Sequence, residues 1–128
     1  MKKMFINILK QSFSSAHKID GHKGKCAFLH GHNWTVEIAV ASYKLDHLGM
    51  GMDFADIKRL VKPVIDELDH CYLNDLPYFQ HFLPTAENVA KYIYESLVSI
   101  FSNEDVDIQE VIVWETDGCG VKYRDTKE

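Results

Sequence analysis

Apolar and polar residues alternate along two stretches in the first third of the chain, and each stretch predicts a β-strand. Residues 4–13 alternate loosely and residues 30–42 alternate clearly, a period typical of strands with one buried face. Residues 14–29 are polar, contain two glycines and are predicted to form a long loop. The apolar face of the second strand is predicted to comprise Trp34, Val36, Ile38 and Val40, with Thr35 and Glu37 on the other face.

A helical period replaces this alternation in the middle of the chain and predicts two helices. Asp53 is placed to cap the first helix, and Pro63 within it predicts a kink or a break. Thr85 is the predicted N-cap of the second helix, and Glu87 suits its positive end. The predicted apolar stripes are Ile57, Leu60, Val61, Val64, Ile65 and Leu68 in the first helix, and Val89, Ile93, Leu97 and Ile100 in the second.

Two β-prone runs end the chain, at 106–115 and 120–124, and the turn residues Asp117 and Gly118 separate them. The element order is then ββααββ. This order predicts an α+β domain in which two helices cover one face of a four-stranded antiparallel sheet. Such a sheet has two open edges, and assembly with further copies is one way to cover them.

Composition narrows the possible functions. The 128 residues predict a single domain over 1–128, and 46% hydrophobic residues supply a core. The net charge of −5 argues against nucleic-acid and anionic-membrane partners. No apolar run is long enough to span a membrane, and polar residues interrupt the apolar start as no signal peptide would allow. Three cysteines without an export signal predict free thiols in a reducing cytoplasm.

The segment CAFLHGH (26–32) is the first candidate for chemistry. Alternate strand residues face the same side, so His30 and His32 are predicted to point together. Paired imidazoles on a rigid strand suit a transition metal such as zinc. A third ligand must come from elsewhere, and His17 and His22 are both candidates. The alternative is that these histidines only pack or form hydrogen bonds.

Cys26 leaves two kinds of metal site open. As a fourth ligand, it would complete a closed structural site. As an unbound thiolate near a dication, it would act as a base or nucleophile and leave the fourth position to water or substrate. The spacing of the residues does not decide between the two.

Two further polar groups are candidates. In LDHCYLND (68–75), Asp69 and His70 can form a carboxylate–imidazole pair, although a histidine at a helix C-terminus is also favoured by the helix dipole alone. Glu115 ends the apolar run VIVWE and points the same way as Val111 and Val113. It either marks where the strand reaches solvent or accepts hydrogen bonds from an amino-pyrimidine edge.

Six segments follow in order over nearly the whole chain: FSSAH (13–17), CAFLHGH (26–32), GMGMDF (49–54), LDHCYLND (68–75), PTAEN (84–88) and the WET near the C-terminus. Together they resemble the 6-pyruvoyltetrahydropterin synthase family. The resemblance implies the tunnelling fold (T-fold), whose subunits join their sheets into barrels, usually as hexamers. It also implies that His17, His30 and His32 hold Zn²⁺, with a fourth position open to substrate hydroxyls.

The resemblance further implies roles around the metal. Cys26 would be the base that removes a proton from the side chain of 7,8-dihydroneopterin triphosphate. Asp69 and His70 would form a partner relay that is contributed across a subunit interface. Glu115 would anchor the pterin ring, with Thr85 close by.

The short gap between Cys26 and the H-G-H resembles the bacterial branch that makes 6-carboxy-5,6,7,8-tetrahydropterin for queuosine and other 7-deazaguanines. The products would then be this pterin, acetaldehyde and triphosphate. Three other functions stay open: a 6-pyruvoyltetrahydropterin synthase that eliminates only triphosphate, a zinc-stabilised binding module with Cys26 as fourth ligand, and a pterin aldolase side activity.

Overall fold

A computed structural model describes residues 3–125, in which two helices accompany one sheet and confirm the α+β class. The domain predicted over 1–128 includes residues 1–2 and 126–128, which lie outside this described part. No helix of the described part has the length and hydropathy to cross a membrane. The elements are β1 (Phe5–His17), β2 (His30–Ser42), α1 (Phe54–Leu68), β3 (Cys71–Tyr72), α2 (Ala86–Ile100), β4 (Asp107–Thr116) and β5 (Cys119–Tyr123).

The sheet of the described residues has five strands in the order β3-β1-β2-β4-β5, and not the predicted four. Its long strands pair antiparallel, but β3 pairs parallel with β1 through Cys71 and Tyr72. The prediction missed β3 because two residues are too few to show an alternating pattern. Because β3 is short, the first ten residues of β1 have no strand on that side within residues 3–125.

Strand β1 is longer than predicted and ends at His17, so the loop predicted over 14–29 is limited to 18–29. The alternation of buried positions continues past Phe13 through Ser15 and His17. Because Ser15 and His17 are polar, the alternation of apolar and polar residues in the sequence does not reveal that they are buried. This extension places a histidine inside the fold.

Helix α1 covers β1, and α2 covers β4 and β5 on the same face of the sheet. Asp53 caps α1 by accepting a hydrogen bond from the Ala55 backbone N–H at 2.8 Å. The helix continues through Pro63 and does not break there. Pro63 lies on the exposed side, where water can satisfy the Arg59 carbonyl that proline leaves unpaired.

Thr85 caps α2 as predicted, since its hydroxyl accepts a hydrogen bond from the Asn88 backbone N–H at 3.1 Å. The predicted apolar stripe is buried at Val89, Ile93 and Leu97. Ile100 is not part of it, because its side chain lies at the end of the helix and is 37% exposed, whereas Phe101 is buried in its place.

Leu97 and Val98 provide a matched test of this packing. Leu97 is fully buried between α2 and the sheet, whereas its neighbour Val98 is 45% exposed. We expect Leu97→Ala to lower the free energy of unfolding by about 2–5 kcal/mol because it leaves a cavity. Val98→Ala should change it by less than about 0.5 kcal/mol. Urea denaturation at one fixed protein concentration measures both, and equal effects would contradict the burial described here.

Candidate metal and active site

Antiparallel pairing of β1 with β2 brings three histidines to one end of the sheet. His17 lies directly opposite His30, and His32 lies opposite Ser15, two residues further along. The ring centroids of His17 and His30 are 4.5 Å apart, those of His30 and His32 are 4.7 Å apart, and those of His17 and His32 are 5.2 Å apart. The three imidazoles therefore converge on one point of the helix-covered face.

Glu115 joins this cluster from the third strand. Trp114 pairs with Thr35. Because side chains alternate along β4, Glu115 faces the same side as the buried Val113. Its Oε1 lies 3.3 Å from Nε2 of His32. One ligand atom from each of His17, His30, His32 and Glu115 can be chosen so that all four lie within 4.8 Å of one another. Alternation along β4 gave the direction of Glu115, but its proximity to His32 depends on the strand register.

Two backbone carbonyls orient the imidazoles. His17 Nδ1 lies 2.8 Å from the Pro84 carbonyl oxygen, and His30 Nδ1 lies 2.7 Å from the Phe28 carbonyl oxygen. A carbonyl only accepts, so each Nδ1 carries the proton and each Nε2 lone pair is left for a ligand. Sequence reasoning missed both carbonyls, since a backbone acceptor leaves no side-chain signature.

Two of the ring nitrogens are buried without a partner. Among the described residues, neither Nε2 of His17 nor Nε2 of His32 forms a hydrogen bond. Burial lowers the pKa of both histidines below the ordinary value, and the nearby Glu115 carboxylate only partly opposes this. Uncharged imidazoles with free, buried lone pairs are what a metal ion requires. The four side chains are therefore chemically suited to hold one.

His22, the other candidate for the third ligand, is not part of the cluster. It lies exposed in the loop 18–29, where its Nδ1 accepts a hydrogen bond from the Gly24 backbone N–H at 2.9 Å. His17 takes the position because β1 extends into the region that was predicted as loop.

Cys26 lies in a short 3₁₀ turn, Lys25–Ala27, in the same loop. The turn is tied back towards β1 because the Cys26 carbonyl accepts a hydrogen bond from the Ile19 N–H at 2.6 Å. The thiol is free and half-buried. It does not belong to the group of four side chains that could hold a metal ion in the described residues, of which Glu115 is the fourth member.

Asp69 and His70 form a pair within one chain. His70 Nδ1 lies 2.8 Å from Asp69 Oδ2, and the Ser14 backbone N–H donates to Asp69 Oδ1 at 2.8 Å. The hydrogen bond from Ser14, followed by that from His70, lowers the pKa of the Asp69 carboxyl. His70 adopts a φ of 53°, which is uncommon for any residue except glycine. At this left-handed residue the adjacent side chains contact each other, so Asp69 and His70 form a carboxylate–imidazole pair.

One open cleft connects this pair with the histidine cluster. It runs along the ends of β1, β2 and β3, and both His32 and His70 line it. His70 is largely exposed, with 82% of its side chain accessible, so its ring is free to meet a ligand or another subunit. Thr85 is less directly placed: its hydroxyl caps α2, and the preceding Pro84 holds His17.

Comparison with known proteins agrees with this geometry. The family model described as 6-pyruvoyl tetrahydropterin synthase matches residues 8–126 of this chain. A Rickettsia typhi protein named 6-carboxy-5,6,7,8-tetrahydropterin synthase is 34% identical over 86% of this chain and 93% of its own. A Dictyostelium discoideum protein named 6-pyruvoyl tetrahydrobiopterin synthase is 31% identical over 97% of this chain and 98% of its own.

The similarity extends to three dimensions. The solved structure of Caenorhabditis elegans 6-pyruvoyl tetrahydropterin synthase superposes with a TM-score of 0.87 at 30% identity, and the match covers 97% of each chain. The T-fold implied by the sequence resemblance is thereby confirmed. The fold, the matched family and the relatives together show that the chain belongs to the 6-pyruvoyl tetrahydropterin synthase family.

Proposed function

We propose that this protein is a zinc-dependent lyase of queuosine biosynthesis. It converts 7,8-dihydroneopterin triphosphate and water into 6-carboxy-5,6,7,8-tetrahydropterin, acetaldehyde and triphosphate. The observation that carries the proposal is the cluster of three histidines beside a carboxylate at the end of a T-fold sheet, where the buried Nε2 atoms of His17 and His32 form no hydrogen bond among the described residues. Relatives that bear the name of this activity match most of the chain.

His17, His30 and His32 are the proposed zinc ligands. His17 Nδ1 contacts the Pro84 carbonyl and His30 Nδ1 contacts the Phe28 carbonyl, and these contacts direct the Nε2 atoms of the two rings towards the centre of the cluster. A zinc ion held by these histidines would supply Lewis acidity, which would lower the pKa of the substrate hydroxyls and stabilise the negative charge that develops on proton loss.

Cys26 is the proposed base for the side-chain proton of the substrate. Its thiol is free and only half-buried. The turn that carries it is held by the hydrogen bond from the Ile19 N–H to the Cys26 carbonyl. Asp69 and His70 are the proposed relay. The carboxylate fixes the ring of His70, whose exposed side is left to exchange protons in the cleft shared with His32 or with a neighbouring subunit.

Glu115 is the proposed anchor of the pterin ring, with Thr85 nearby. A carboxylate can accept two hydrogen bonds from the amino-pyrimidine edge, which fixes the register of the ring and thus the position of its side chain. Glu115 is 26% exposed at the edge of the cluster, so a ligand beside the histidines can reach it.

The second candidate is 6-pyruvoyltetrahydropterin synthase activity on the same substrate. A relative with a name of that kind covers nearly the whole chain. We favour the carboxy product because the relatives with that name include the Rickettsia and Haemophilus influenzae proteins, and because of the short gap between Cys26 and the H-G-H segment.

We further propose a homo-oligomer, with a hexamer favoured and active sites at subunit interfaces. The uncovered edge of β1 carries the exposed Phe5, Ile6 and Ile8, and β5 is the edge at the other end of the sheet. Two such edges on one chain can pair head to tail, which closes a ring. The three free cysteines fit our proposal of a reducing cytoplasm.

Removing one histidine tests the metal site. We expect wild-type protein to retain about one zinc ion per chain through dialysis and His32→Ala to retain much less, because one of the three converging imidazoles is lost. His22→Ala is the matched control, since His22 is exposed in the adjoining loop. Elemental analysis after dialysis measures both, and full zinc content in His32→Ala would refute the assigned ligands.

Replacing Cys26 separates catalysis from structure. We expect Cys26→Ala to keep its zinc and its fold and to lose about 10²–10⁴-fold in turnover, as expected for loss of a positioned base. Circular dichroism, zinc content and turnover of 7,8-dihydroneopterin triphosphate are the measurements. Loss of zinc together with the fold would instead support the binding module in which Cys26 is a ligand.

Product analysis distinguishes the two enzymes. We expect mass spectrometry to identify 6-carboxy-5,6,7,8-tetrahydropterin, and a parallel assay to detect acetaldehyde in equal amount. Accumulation of 6-pyruvoyltetrahydropterin without acetaldehyde would assign the second candidate. Consumption of dihydroneopterin lacking phosphates would point to the aldolase activity.

A further inference from the structure

Glu115 and His32 are close together without being hydrogen-bonded. Glu115 Oε1 lies 3.3 Å from His32 Nε2, yet that nitrogen is buried and forms no hydrogen bond in the described part of the chain. The two atoms are therefore in contact range but are not aligned as donor and acceptor. A contact of this kind is unfavourable between two lone pairs unless something positive lies between them.

The separation matches that of two ligands on one ion. With Zn–N and Zn–O bonds near 2.0–2.2 Å, tetrahedral ligand atoms lie about 3.3–3.5 Å apart. His17 and His30 contribute the remaining nitrogens, and all four candidate ligand atoms lie within 4.8 Å of one another. Glu115 thus occupies the place of a fourth ligand, which the assigned histidine triad leaves open.

Within residues 3–125, no lysine or arginine is positioned to neutralise Glu115. Among the ion pairs of residues 3–125, its carboxylate contacts only His32, and no Lys or Arg lies within 4.0 Å. By contrast Glu110, on the same strand, is paired with both Lys122 and Arg124. A half-buried carboxylate without a cationic side chain is a good acceptor for a metal ion.

We propose that Glu115 is the fourth metal ligand in the substrate-free protein and that it leaves the metal when a pterin ring binds. The second half rests on the proposed function, in which Glu115 anchors the ring. One carboxylate cannot serve the ion and the amino-pyrimidine edge with the same oxygens, so the two roles alternate.

This exchange links substrate binding to the metal. Without substrate, four protein ligands hold the ion in a closed site, and with the ring bound, the fourth position is released for the substrate side chain. The three side-chain torsions of glutamate allow the movement, and the position of Glu115 at the edge of the cluster gives it space. Binding of the ring and retention of the ion by Glu115 are then competitive, as linkage requires.

Two substitutions at Glu115 test the ligand role. Glu115→Gln keeps the shape of the side chain and removes its charge. Glu115→Asp keeps the charge but shortens the side chain by one methylene, which moves the carboxylate away from the histidines. Zinc affinity is measured by competition with a chromophoric chelator, without any substrate. We expect both variants to bind zinc at least about tenfold more weakly, the smallest loss seen when groups around a metal are removed. Glu110→Gln is the control for loss of one charge from β4 and should bind zinc as the wild type does.

The zinc affinities of the two variants together decide whether Glu115 is a metal ligand. If Glu115→Asp binds zinc as tightly as the wild type and Glu115→Gln does not, the carboxylate acts only through its field and the ligand role is wrong. If neither variant loses affinity, the ligand role is also wrong. Circular dichroism confirms that each variant is folded, and zinc content of the histidine triad variants judges the proposed metal site separately.

Cobalt substitution tests the exchange. Visible absorption of bound Co²⁺ reports its ligand set, and we add 6-methylpterin, which has the ring without the triphosphate side chain. At pterin concentrations that saturate each protein by fluorescence, we expect the spectra of the wild type and of the control Glu110→Gln to change on ring binding. A ring that binds the wild type without changing the cobalt spectrum would refute the exchange. A ring that binds neither protein would refute it as well, while the affinity result for zinc would stand.

Discussion

The pairing of β1 with β2 is the interaction on which the site depends. All thirteen residues of β1 are paired, from Phe5 opposite Ser42 to His17 opposite His30. Because side chains alternate with a period of two, a slip of one residue would turn His17 away from His30 and His32. Phe13 and Trp34, which stack with ring centroids 5.7 Å apart, and the hydrogen bond from the Trp34 indole N–H to the Ser15 carbonyl help to hold the register.

The histidine cluster occupies a place where a core residue would otherwise lie. Trp34 packs against His17 and His32 with ring centroids 4.9 and 5.5 Å away, so apolar packing continues up to the imidazoles. Each buried Nε2 without a partner costs about 1–3 kcal/mol. The fold tolerates this cost because the surrounding core fixes the rings, and a bound ion would remove it. The arrangement is typical of a site organised for a ligand before the ligand arrives.

Segments from distant parts of the chain meet at this end of the sheet. The entry to α2 supplies the Pro84 carbonyl for His17, and the residues after α1 supply Asp69 and His70 next to Ser14. The Cys26 turn is tied to the residues that follow β1. Each of these contacts has a backbone carbonyl or N–H as one partner. The geometry of the site therefore depends on the course of the backbone as much as on the identity of the side chains. This dependence explains how a small domain can position several polar groups in one cleft.

Local pattern determined much of this protein. Period-two alternation predicted β2 and the common direction of His30 and His32, and helical spacing with Asp53 and Thr85 predicted both helices and their starts. The residue pattern left both His17 and His22 open as the third histidine, because the burial of Ser15 and His17 in β1 carries no apolar signal. The folded sheet places His17 in the cluster, as the family resemblance implies. It also decided that Glu115 lies beside His32, since register between strands about eighty residues apart exists only in the folded sheet. Local spacing fixes which way a side chain points, and only the packed sheet fixes what it meets.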